Sequence, residues 1–203
     1  MEAQPKCNLI IDSCCDLPFE VIDRPGVQLL EFPYIDEKGE HSDDLYRTVT
    51  PHEFYEGMRA GSQPSTAQVP VTVFHDVFSK AIESGVPTVY LSFTSGLSGS
   101  FNTAVMVRDQ LIAEHPEAEL YVVDTYLASI AEALLVYEAL NQRDNGMTAR
   151  ELAAWAEEAR YFVDAEFMVD DLESLRRGGR IPSTVAYAGA KLDVKPLLNI
   201  SIE

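Results

Sequence analysis

The stretch Thr94-Ser95-Gly96-Leu97-Ser98-Gly99-Ser100 gathers hydroxyls and glycines between two apolar patterns. Before it, Val89-Tyr90-Leu91-Ser92-Phe93 reads as a buried strand. After it, Asn102–Glu114 carries Ala104, Val107, Leu111 and Ile112 at helical spacing. A strand, a small-residue loop and a helix start place unpaired backbone N–H groups and hydroxyls at the positive end of a helix, which favours a negatively charged group. The segment Val86–Phe101 contains no lysine, arginine, histidine or carboxylate. It is suited to holding an anion, not to acid–base chemistry.

Other hydroxyl-bearing loops follow the same logic: Asp12-Ser13, Gly61–Ser65 and Asp124-Thr125. Together with Thr94–Ser100 they could meet at the carboxyl ends of strands, where ligands of open α/β sheets bind. Taken singly, each loop has the ordinary reading of a turn or cap. Gly96-Leu97-Ser98-Gly99-Ser100 lacks the lysine of a P-loop and the spacing of a dinucleotide fingerprint. Ser98 lies in G-L-S-G rather than in a nucleophile elbow, and no histidine has a supporting context, which argues against a serine hydrolase. Arg176-Arg177-Gly178-Gly179-Arg180 is the one concentration of positive charge. Its glycines suit a tight turn presenting guanidinium groups, and the alternative is a solvated loop balancing Asp170, Asp171 and Glu173. Cys14-Cys15 could be redox-active, although buried cysteines are more often structural.

The elements that must carry these loops alternate. Leu9–Ile11, Val27–Phe32, Val89–Phe93 and Leu120–Val123 read as strands. Thr50-Pro51-His52-Glu53 opens a capped helix through Ala60, Phe74–Ile82 is amphipathic and stopped by Gly85, and Ala128–Asn145 is a long helix ended by Gly146. Thr148-Ala149-Arg150-Glu151 opens another with a capping box. Proline at position 18 suits a first helical turn, Asp36–Asp44 is an exposed loop or hairpin, and Phe167-Met168-Val169 starts a new strand. This order predicts an α/β fold with a largely parallel, Rossmann-like sheet over 1–164, and a second α/β domain beginning at 165–203.

The chain has 203 residues, 46% of them hydrophobic, enough for a sizeable core. A formal charge of −18 disfavours nucleic acid and anionic membrane faces and fits a cytoplasmic protein. Val86–Val107 is uncharged, yet its Ser, Thr, Asn and Gly content argues against a transmembrane helix. Three cysteines, two of them adjacent, imply no disulfide framework, and four scattered histidines argue against a metal site. The N-terminus lacks the apolar core of a signal peptide.

In order, the segments IIDSCCDLP, GSQPS, FTSGLSGSFNTA, VVDTYLAS and LESLRRGGRIP resemble the motifs of the DegV family of bacterial fatty-acid-binding proteins, the fatty acid kinase B subunits, from Asn8 to about Leu198. The resemblance implies a two-domain α/β protein that buries a long acyl chain between its domains, without a cofactor, and hands the carboxylate to a separate kinase subunit. It assigns the carboxylate to Ser98 and to the position of Gly61, where the family has threonine and Ser62 could substitute. The ligand residues expected on this basis are Ser13, Gly61, Ser62, Ser95, Ser98 and Gly99, with Arg180 in the region facing the kinase. Cys14-Cys15 stands where the family has Thr-Ala. Family members continue beyond the equivalent of Glu203, so the second domain is expected to be incomplete, a fragment or a reduced lid.

The physical reading agrees with the resemblance. Burial yields about 0.8 kcal/mol per methylene, hence on the order of 10 kcal/mol gross for a long chain. The carboxylate then needs donors, which hydroxyls at a helix start provide. Two other readings compete: a small-molecule enzyme (phosphotransferase or esterase) in the same crevice, and a regulatory protein with a vestigial pocket. The first is disfavoured by the lack of a lysine, histidine or metal cluster near the loops; the second draws on Gly61.

Overall fold

The computed structural model describes residues 5–169, 171–185 and 195–200; Asp170, weighed above as a neighbour of the arginine cluster, lies outside them. β1 (Asn8–Asp12) leads through a 3₁₀ turn (Ser13–Cys15) and the single-turn helix α1 (Phe19–Ile22) to β2 (Val27–Leu30). A hairpin of β3 (Pro33–Asp36) and β4 (Gly39–Ser42) follows, then α2 (Pro51–Arg59), β5 (Ser65–Thr66) and α3 (Val71–Glu83). β6 (Thr88–Ser92), α4 (Ser100–Glu114), β7 (Leu120–Asp124), α5 (Ser129–Asp144) and α6 (Ala149–Ala159) come next. Past a 3₁₀ turn (Arg160–Phe162) lie β8 (Glu166–Phe167), α7 (Glu173–Arg177) and β9 (Leu198–Asn199).

The main sheet has four parallel strands in the order β2-β1-β6-β7. Its central strands are apolar without interruption because helices cover both faces. Leu9, Ile11, Val89 and Leu91 point to one core with Val136, Ala139 and Leu140 of α5 and Leu152, Ala153 and Ala156 of α6. Ile10 and Tyr90, the alternate residues, point to the other with Phe74 and Phe78 of α3 and Ala104 and Val107 of α4. The chain leaves β1 towards β2 on one side and returns to β6 on the other. That reversal opens a crevice at the carboxyl ends of the strands.

Three local outcomes differ from the sequence reading. Phe32 does not extend β2, which stops at Leu30; its amide is captured by the Ser13 hydroxyl (3.1 Å) and its ring faces the cleft described below. β3 recruits Ser65 and Thr66 as a third strand, forming an antiparallel sheet β4-β3-β5 beside the parallel one. The strand expected at Phe167–Val169 is instead Glu166–Phe167, whose place is set by pairing with Leu198 and Asn199. Thr50 and Thr148 both form complete capping boxes, as their spacing predicts.

Candidate functional site

Each parallel strand that ends in an acid and a hydroxyl uses both to fasten loops. Asp12 Oδ1 accepts from the Cys14 amide (3.1 Å), and Oδ2 accepts from the Phe93 amide (2.8 Å) and the Tyr90 hydroxyl (2.9 Å). Asp124 Oδ1 accepts from the amides of Ser95 (3.2 Å) and Tyr126 (3.1 Å). Thr125 Oγ1 donates to the Ser92 carbonyl (2.8 Å) and accepts from the Leu127 amide (3.2 Å). The loop 93–100 is thus held at one end by β1 and in its middle by β7. Tyr126 (φ 57) and Ser129 (φ 52) are left-handed, an unfavourable conformation for residues other than glycine, and they aim the start of α5 at the crevice.

The crevice is a cleft of about 1220 Å³, beyond the usual range of about 300–1,000 Å³ for small-molecule sites. One wall is apolar: Leu17, Phe32, Ala131, Leu134, Val163 and Phe167. Ser65, Gln63, Ser98, Arg177 and Arg180 supply polar groups. Ser98 directly precedes Gly99, the N-cap of α4, whose leading amides have no intrahelical partner and carry the positive end of the helix dipole. Its hydroxyl accepts from the Ser100 amide (3.2 Å) and donates to Ser100 Oγ (3.0 Å). Arg177 donates to Gln63 Oε1 and Arg180 Nε donates to the Leu97 carbonyl (3.1 Å), so the arginine-glycine segment is strapped to both hydroxyl loops.

Of the residues the sequence points to, the cleft wall includes Ser98 and Arg180. Ser13 is fully buried and committed to Phe32. Ser95 contributes its amide to Asp124. Gly99 is the N-cap of α4, with Gln68 packed so closely that a Cβ would lie 2.5 Å from its Oε1. Gly61 (φ 110) and Ser62 lie outside the wall, and the Ser62 hydroxyl donates to Glu37 Oε2 (2.7 Å). The Glu37 carboxylate also accepts from the Gln63 amide (3.0 Å), which turns Gln63, Pro64 and Ser65 towards the cleft instead.

Sequence reasoning missed Glu132. It precedes Leu135, Val136 and Ala139 at helical spacing, and that spacing is the signal: an acid on the buried stripe of α5. Glu132 is fully buried and neither carboxyl oxygen meets a hydrogen-bond donor among the described residues. Burial, reinforced by Asp12, Asp16 and Asp124, holds its carboxyl well above the ordinary carboxylate range. Burial likewise pushes Asp12 up to about 6, against the opposing pull of its donors. Cys14 and Cys15 are also raised, chiefly by burial, so both stay protonated thiols and are poor nucleophiles. Among the described residues the cleft wall holds neither histidine nor lysine, no group of histidine, cysteine and acidic residues could hold a metal ion, and no helix is long and apolar enough to cross a membrane.

Comparison with known proteins agrees with this geometry. The model of the family described as "Uncharacterised protein, DegV family COG1307" matches residues 6–202. A DegV domain-containing protein of Clostridium perfringens is 34% identical over 196 residues, covering 97% of this chain and 67% of the relative. The DegV domain-containing protein YteA of Lactococcus lactis is 37% identical over 146 residues, covering 72% and 50%. The chain therefore spans about half to two thirds of the length of these curated relatives. Among solved structures, a stearic acid-binding protein of Eubacterium ventriosum superposes with a TM-score of 0.82 at 25% identity, covering 97% of this chain and 67% of that one. A fatty-acid-binding DegV protein of Thermus thermophilus superposes with a TM-score of 0.76 at 28% identity, covering 97% and 68%. With a family match over nearly its whole length and a parallel sheet arranged as in these neighbours, the chain belongs to the DegV family.

Proposed function

We propose that this protein binds a long-chain fatty acid in the cleft, without catalysing a reaction on its own, and presents the carboxylate to a separate acyl kinase. One observation carries the reading: a single cleft joins an apolar wall (Ala131, Leu134, Val163, Phe167) to Ser98, in the loop that leads into the start of α4. An acyl tail takes the wall and its carboxylate takes the helix start, with the Ser98 proton redirected from Ser100 Oγ to the ligand. The relatives named for fatty-acid binding support the ligand class. Domain organisation is part of the proposal: residues 1–164 form the sheet side of the site and residues from 165 on begin its cover, in a cytoplasmic protein. Arg180, exposed beside Leu97, is the residue we assign to the kinase.

The test is denaturing extraction of the purified protein followed by mass spectrometry of the released lipid. A stoichiometric long-chain fatty acid is expected. Lipid-free protein that also takes up no added fatty acid overturns the carrier reading. One feature favours a second reading, a regulatory protein with a vestigial pocket: Gly61 has no hydroxyl and that of Ser62 is taken by Glu37.

A further inference from the structure

Arg160, directly after α6, does not line the cleft, yet its contacts fall where three lining segments are anchored. Nη1 donates to the Asp124 carbonyl at the end of β7 (2.6 Å). The guanidinium lies over the Tyr126 ring at 4.2 Å and the Tyr161 ring at 5.1 Å, both within reach of a cation–π contact. Nε is buried and meets no acceptor among the described residues. An unsatisfied buried donor is unfavourable, so the other contacts are what hold the group in place. Tyr126 is itself left-handed (φ 57), a strained state that persists only where neighbours over-determine it. Those neighbours are the Arg160 guanidinium on its ring and the Asp124 carboxylate on its amide (3.1 Å).

Three stretches of the cleft wall meet at this point. Ala128, Ser129 and Ala131 follow Tyr126 into α5. Ser98 belongs to the loop whose Ser95 amide donates to the same Asp124, at its carboxylate (3.2 Å), and whose Thr94 amide donates to the Leu127 carbonyl (3.1 Å). Val163 and Ala165 follow Arg160 along the chain and pack against Leu127, Ala131 and Leu135. We propose that Arg160 is a positioning residue of the acyl site. With its edge on the Asp124 carbonyl and its face on the Tyr126 ring, it fixes the start of α5, the Ser98 loop and the segment from Val163 against one another. A planar guanidinium can donate along its edge and stack on its face at once, which an ammonium cannot. The consequence for a ligand rests on the fatty-acid reading of the cleft.

Two variants separate this role from charge and from general packing. Arg160→Met keeps an unbranched apolar stem and removes the charge and the donors; Arg160→Lys keeps the charge and a donor without the plane. Two readouts apply: amide hydrogen exchange, residue by residue and without ligand, and affinity for stearate. The amides of Ser95 and Tyr126, held by Asp124, are expected to exchange about tenfold faster in Arg160→Met. Those of Cys14 and Phe93, held by Asp12 on β1, are expected to keep their wild-type rates. Stearate binding is expected to weaken about tenfold in Arg160→Met, with part of both losses recovered in Arg160→Lys. Adding Tyr126→Leu to Arg160→Met is expected to cost no further affinity, because ring and guanidinium act as one unit.

Equal acceleration at all four amides means general loosening and overturns the positioning role, as does no acceleration at Ser95 and Tyr126. Selective acceleration with unchanged stearate affinity overturns the connection to the site. Full recovery in Arg160→Lys leaves charge alone and overturns the edge-and-face contact. Should Arg160→Met fail to fold, the same comparison of amides in Arg160→Lys decides. If stearate binds none of the proteins, wild type included, the acyl reading fails, while the exchange pattern still decides whether Arg160 holds the three segments together.

Discussion

Ser98 offers the cleft a hydroxyl at a helix start, and its contribution is measurable. Ser98→Ala is expected to weaken fatty-acid binding by about 1.5–3 kcal/mol, the range for a hydrogen bond to a charged group. Titration of the folded variant with a fatty acid checks this, and an unchanged dissociation constant moves the ligand head elsewhere. Ser62 provides the contrast. Because its hydroxyl already serves Glu37, Ser62→Ala is expected to leave affinity within about 0.5 kcal/mol, as for substitutions away from a binding contact. Arg180 lines the cleft, but its donors go to the carbonyls of Leu97 and Gly178 and the residue is exposed. Arg180→Ala is therefore expected to leave fatty-acid affinity within about 0.5 kcal/mol while slowing kinase-dependent phosphorylation. Equal losses in binding and turnover would place the arginine at the ligand instead. The hydroxyl-rich loop 94–100 was legible as a local segment between a strand and a helix, and within it the family resemblance assigned Ser98. The engagement of Ser62 was not legible, because Glu37 is 25 residues away and meets it only through the folding of the β3–β4 hairpin against the 61–65 loop.

Helices α2 and α6 rest on local signals, and their stability is set accordingly. Thr148 accepts from the Glu151 amide (3.3 Å), and the Glu151 carboxylate accepts from the Thr148 amide (2.9 Å). Thr148→Ala is expected to destabilise the protein by about 1 kcal/mol, read from the urea midpoint. The approach to β2 rests on distant partners. Gly26 is left-handed (φ 74), and an added Cβ would lie 2.5 Å from the buried guanidinium of Arg143. That guanidinium donates to the carbonyls of Cys7 (2.8 Å) and Pro25 (2.5 Å), tying α5 to both neighbouring strands. A Gly26→Ala variant pays for strain and for displacing Arg143 together, and more than about 1 kcal/mol of stability is expected to be lost. Capping boxes lie within four consecutive residues, which is why they were legible. The extent of the strands was less so: Phe32 and Glu166 have their states decided by partners elsewhere in the chain.

The molecule as a whole is strongly acidic, with a formal charge of −18, and it buries carboxyl groups where its strands end. Asp12 moves from an ordinary 3.8 to about 6, with burial as the main cause. The sign follows: its contribution to stability is present below 3.8 and lost as pH rises through about 6, by about 3 kcal/mol at most. Urea unfolding is expected to give a lower midpoint at pH 8 than at pH 5.5. The difference should persist in high salt, because buried groups are screened less than surface charge. A difference abolished by salt would assign the effect to surface repulsion instead. Ligand linkage gives a further measure. A fatty acid at about one hundred times its dissociation constant stabilises the fold by about 2.7 kcal/mol, a shift in melting temperature of roughly 5–11 °C for a chain of this size.

The alternation of strands and helices, the parallel sheet and the anion-favouring start of α4 all follow from periodicity and small-residue spacing within single segments. Those are local properties, and a linear chain carries them openly. The apolar wall of the cleft is different. Leu17, Phe32, Ala131, Leu134, Val163 and Phe167 come from five separate stretches and form one surface only once α5 and the segment after α6 are set against the sheet edge. Glu132 has the same origin: its spacing puts it on the buried stripe of α5, but only packing removes water from it and leaves both its oxygens without a donor among the described residues.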